Sequence, residues 1–73
     1  GSPERAADLA TRAVGVEPWS EPARTLLAEA YLQLGDVTSA RRAIRQCEAM
    51  LEDLGVERSR ALAMLKRRLA ASG

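Results

Sequence analysis

Apolar positions recur along the chain at spacings of three and four, and no stretch alternates with period two, so the sequence predicts helices and no strand. Ser2-Pro3 supplies a cap followed by proline at the first helical position and opens a helix over residues 3–16. Its inner face reads as Ala6, Ala10 and Ala13, with Leu9 and Val14 beside them. Pro18 closes that segment, because a proline disfavours the helical region for the residue before it. Ser20 caps a second helix over 21–34, with Ala23, Leu26, Leu27, Ala30, Tyr31 and Leu34 read as one apolar face. Gly35 ends it and Asp36 caps the next helix one residue later, which requires an antiparallel hairpin. The third helix, 37–54, is the longest, with Val37, Ala40, Ile44, Cys47, Leu51 and Leu54 in one seam. Gly55 stops it, and Val56 is placed to fold back on Leu51. A fourth helix over 58–70 turns Ala61, Leu62, Leu65 and Leu69 to one side and Arg60 and Arg67 to the other. The expected fold is all-α, four antiparallel helices in one domain.

Composition narrows the function. A chain of 73 residues with no histidine and one cysteine has neither a Ser/His or Cys/His catalytic pair nor the usual zinc ligands. A lone cysteine precludes an internal disulfide and fits a reducing compartment. No apolar run approaches the roughly 20 residues of a membrane-spanning helix. Gly1-Ser2 reads as a scar from tag cleavage, which leaves 3–71 as a helical domain fragment. The reading is a non-enzymatic, cytoplasmic helical module without metal or cofactor. Charge is uneven: residues 1–57 carry six basic and ten acidic side chains, and 58–73 carry five basic and none acidic. Arg60, Lys66, Arg67 and Arg68, preceded by Arg58, form a candidate basic face. It is either a solvated helix surface or a contact for nucleic acid or an acidic partner.

The pattern repeats. Ala6, Ala10 and Ala13 return 34 residues later as Ala40, Ile44 and Cys47, and Arg24, Ala28 and Tyr31 return as Arg58, Leu62 and Leu65. A 34-residue period in helical hairpins resembles the tetratricopeptide repeat. Leu27-Ala28, Tyr31, Gly35, Ala40, Ile44 and Cys47 fall at that family's large, small, aromatic, glycine, small, large and small positions. Arg24 stands where the first large aromatic is usual, and Glu52 where a closing proline is usual. The resemblance implies the second helix of one repeat, one whole repeat and a capping helix.

A narrower resemblance rests on Glu17-Pro18-Trp19-Ser20-Glu21, on Tyr31 with Gly35-Asp36, and on Cys47, Leu51 and Leu54-Gly55-Val56-Glu57 followed by Ser59. These residues resemble the bacterial transcriptional activator domain of the Streptomyces antibiotic regulatory proteins, with Arg58 where that family has proline. What it implies is the interaction or dimerisation part of a cytoplasmic transcriptional regulator. No sequence-specific DNA binding is expected from this part of it.

Carried over from the tetratricopeptide pattern, a partner-binding groove would include Pro22, Thr25, Glu29, Leu32 and Gln33, with Trp19 at the neighbouring corner. Leu32 either stands exposed in that groove or packs on the fourth helix. Trp19 either staples two helices or offers a contact. Cys47 and Tyr31 read as core residues, and Met50 and Met64 as gap-fillers. The partner is then another protein or a second copy.

Overall fold

A computed structural model describes residues 2–72 and gives four helices, α1 (Pro3–Val16), α2 (Glu21–Gln33), α3 (Val37–Leu54) and α4 (Arg60–Ser72), with no strand among the described residues. Gly1, half of the suggested tag scar, lies outside them. Ser2 lies inside, and its hydroxyl accepts the Arg5 N–H at 3.3 Å as the cap of α1. No described helix is long and apolar enough to cross a membrane.

The caps follow the sequence. Ser20 Oγ accepts the Ala23 N–H at 3.3 Å, and Asp36 Oδ1 accepts the Ser39 N–H at 3.0 Å. The bonds from Ser39 hold the Asp36 carboxyl below its usual range, against a smaller effect of desolvation and with a further pull from Arg42. Asp36 therefore adds stability above the ordinary carboxylate pKa, and that share is lost as pH falls through the lowered one. Both hairpin stops have the same form. The Asp36 N–H reaches Tyr31 O at 2.9 Å and the Gly35 N–H reaches Leu32 O at 3.0 Å; Val56 and Gly55 repeat this on Leu51 and Glu52 at 3.0 and 3.1 Å. Gly35 at φ 78° and Gly55 at φ 68° supply the left-handed residue that this stop requires.

The helices pack in sequence. α1 packs on α2 and, among the described residues, on no other helix; α2 packs on α3, and α4 lies against both α2 and α3. The main core joins Ala28 of α2, Ala40, Ala43, Ile44, Cys47 and Leu51 of α3, and Leu62, Leu65 and Leu69 of α4, with Tyr31, Leu32, Val37 and Met50 packed at its edge. Ala28 and Ala40, both fully buried, let α2 and α3 approach closely, while the three leucines of α4 fill the groove between them. The contact of α1 with α2 is extensive but built on small side chains, and Ala10 is the one buried residue of that helix.

Several expected inner faces shift. In α1, Leu9 and Ala13 are exposed, and the covered stripe runs through Pro3, Ala6, Ala7, Ala10 and Val14. Leu54 at the end of α3 is exposed, and Ala61 of α4 is exposed as well. In α2, Leu26 and Leu34 are exposed and Thr25, Ala28 and Ala30 are buried. A helix flanked by α1 on one side and by α3 and α4 on the other has two covered faces, so a single apolar stripe does not describe it.

The fourth helix starts at Arg60 instead of 58, for a reason visible in the hydrogen bonds. The Ser59 N–H donates to Glu21 Oε2 at 2.7 Å, and the Ser59 hydroxyl and carbonyl accept the N–H groups of Leu62 at 3.2 Å and Ala63 at 3.1 Å. Ser59 is thus the cap, and a carboxylate 38 residues upstream fixes where it sits. Glu21→Ala should cost about 2 kcal/mol in urea unfolding, as expected for a partly buried hydrogen bond to a charged group. Hydrogen-exchange protection should fall further in α4 than in α3. Glu21→Gln, which retains an acceptor, should cost less.

Candidate functional site

On α2 the positions Pro22, Leu26, Glu29 and Gln33 succeed one another at spacings of four, three and four, which puts them on one stripe between the two covered faces. Across from its first turns lie Ser59 and Ala61, held there by the Glu21–Ser59 bond. Between them is an open cavity of about 370 Å³ lined by Glu21, Pro22, Thr25, Leu26, Glu29, Ser59 and Ala61. Its surface is mostly apolar, with Leu26 half exposed at 50% and Glu29 half-buried.

The structure brings together Pro22, Thr25 and Glu29 of the expected groove. Gln33 is exposed further along the same stripe. Leu32 is half-buried against the main core and does not line the cavity. Trp19 is 62% exposed at the corner between α1 and α2, away from the cavity lining. That corner is tied by Arg24, whose Nε donates to Pro18 O at 2.6 Å from the position where the tetratricopeptide pattern usually has a large aromatic. Leu26, Ser59 and Ala61 were missed as site residues. Leu26 was assigned inward by its hydrophobicity, and the other two face α2 only through the long-range bond to Glu21.

Under the groove lies a polar pair. Thr25 is buried, and its Oγ1 meets no partner at hydrogen-bonding geometry among the described residues. Across the interface Cys47 is fully buried. Burial pushes its thiol up, and the Glu21 carboxylate adds to this, against smaller opposing effects of Arg24 and Thr25. Cys47 is therefore a core residue, as the sequence suggested.

The basic face is partly internal. Lys66 Nζ lies 2.7 Å and Arg58 Nη1 3.2 Å from Glu48 Oε2. Arg60, Arg67 and Arg68 are exposed, and Arg41 and Arg45 of α3 line a depression of about 360 Å³ together with Lys66 and Glu48. The two α3 arginines were missed because they belong to a different segment of the sequence.

Residues 1–69 match a family model described as tetratricopeptide repeat. No curated protein matches the chain, and no solved structure does.

Two outcomes follow from the polar pair. Thr25→Val removes an unpartnered buried hydroxyl at nearly constant volume and should raise stability by about 1 kcal/mol, read from the urea midpoint at constant m-value. Cys47 should resist a thiol reagent at neutral pH in the native chain and react at once in denaturant, a contrast that a colorimetric assay would show.

Proposed function

Because the chain belongs to the tetratricopeptide-repeat family, we propose that it is a protein–protein interaction module whose partner is a peptide segment seated in the groove between α2 and the start of α4. Repeats of this family generally mediate contacts between proteins. The observation that carries the reading is the position of the open stripe. Pro22, Leu26 and Glu29 face a preformed, mainly apolar cavity, and the half-exposed Leu26 and the carboxylate of Glu29 offer an anchor and an orienting charge.

On this reading the parent protein is a bacterial transcriptional regulator acting in the cytoplasm, and the module carries no catalytic step. What supports the regulator assignment is the run Leu54-Gly55-Val56-Glu57, which here forms the stop between a long helix and a shorter one. The chain contains no histidine to act as a catalytic base beside its hydroxyls or thiol. The reading in which α4 contacts nucleic acid is weaker. Lys66 and Arg58 already serve Glu48, and the basic surface has no aromatic side chain on which bases could stack.

A random peptide library displayed on phage and selected against the chain should enrich a common motif. Leu26→Asp should weaken the binding of those peptides at least about tenfold, as expected for loss of a buried anchor worth some 1.4 kcal/mol or more. Its circular dichroism should match the wild type, since Leu26 is half exposed. Peptides that bind Leu26→Asp and the wild type equally would place the partner elsewhere.

A further inference from the structure

The third helix ends on unfavourable charges. Arg41, Arg42 and Arg45 occupy its first part and Glu48, Glu52 and Asp53 its second. A helix favours anions at its N-terminus and cations at its C-terminus. α3 carries the Asp36 carboxylate at its start, as this rule prefers, but has no base in its last turn, where Glu52 and Asp53 sit instead. Arg41 with Arg45 and Glu48 with Glu52 are also like charges four residues apart, a spacing that destabilises a helix. The chain answers little of this. Glu48 has Arg58 and Lys66, and Arg42 acts on Asp36, but Arg41, Arg45, Glu52 and Asp53 are exposed and make no ion pair among the described residues.

A local rule broken along a whole helix face points to a contact that compensates for it. We propose that the outer face of α3 docks antiparallel on the same face of a second copy of this chain, with Arg41 and Arg45 of each copy meeting Glu52 and Glu48 of the other. Positions 41 and 52 and positions 45 and 48 are symmetric about the same point, between Gln46 and Cys47. One two-fold axis therefore relates both pairs and their mates, as a closed dimer requires, with Arg45 joining Arg58 and Lys66 around the half-buried Glu48. Of the exposed residues near that point, Ala49 borders the stripe and is small enough for close approach, while Gln46 lies on another side of the helix. Each last turn of α3 also gains cations opposite it. A nucleic-acid backbone on this face would instead meet Glu48, Glu52 and Asp53. The surface shares no residue with the cavity between α2 and α4, so this inference and the groove reading fail separately.

Exposed ion pairs are individually weak and screened by salt, so the dimer is weak and its affinity depends steeply on salt. Sedimentation velocity over a concentration series should show monomer–dimer exchange at about 0.02 M salt, with association at least roughly tenfold weaker at about 0.5 M. Two charge-reversed chains test the pairing. Arg41→Glu and Glu52→Arg should each sediment as monomers, and their equimolar mixture should restore the dimer. The second variant should also melt above the wild type, because its last turn then carries a cation. Association lost while stability rises separates an interface effect from unfolding. Should the first variant lose helicity, Arg41→Ala/Arg45→Ala takes its place and should be monomeric at low salt. A wild type that stays monomeric at low salt, a dimer that survives either reversal, or a mixture that stays monomeric overturns the proposal. Peptides selected on the groove would still bind in each of those cases if the groove reading holds.

Discussion

The placement of α2 between two neighbours governs the rest of the structure. With α1 on one side and α3 and α4 on the other, α2 spends Ala30 on the first contact region and Thr25, Ala28 and Leu32 on the second. Only a narrow stripe stays open. A helix turns about 100° per residue, so this stripe selects every third or fourth position and makes Leu26 a surface residue between the buried Thr25 and Ala28. Glu21 then converts the stripe into one wall of a cavity. Its carboxylate holds the Ser59 N–H, sets the first turn of α4, and brings Ala61 opposite Leu26. One ion-assisted hydrogen bond thereby links the register of the last helix to the shape of the groove.

Stability is distributed unevenly along this arrangement. The side with α3 and α4 buries leucines 62, 65 and 69 with Ile44 and Leu51, whereas the α1 side is built on alanines, Ala10 and Ala30 being its buried members. Burial of a leucine contributes about 1.5–3 kcal/mol relative to exposure, and an alanine much less. The first helix is thus the least anchored element and the one expected to open first. The cavity between α2 and the start of α4 lies on the better-anchored side.

Much of the fold was legible because its punctuation is chemical. Serine and aspartate at the helix starts, prolines in the first turns and glycines at the two tight stops placed three helices to within a residue. The fourth start was displaced because its cap depends on Glu21, a contact across 38 residues that local pattern cannot express. The groove was legible in part. Pro22, Thr25 and Glu29 line the cavity, and so does Leu26, which was read as inward; Leu32, left open between groove and packing, does not, and only the positions of neighbouring helices separate the two leucines. The acidic last turn of α3 and its like-charged neighbours four residues apart were visible in the residues all along. They acquire meaning only once the structure shows those side chains exposed and largely unanswered within the chain.

The most direct measurement is a map of amide chemical-shift changes in the ¹⁵N-labelled chain as a selected peptide is added. The account predicts that the largest changes fall on Leu26, Glu29, Ser59 and Ala61, with Arg60 and Arg67 and the outer face of α3 little affected. Changes centred on Leu9 and Trp19, or on the arginines of α4, would contradict it and move the partner to another surface.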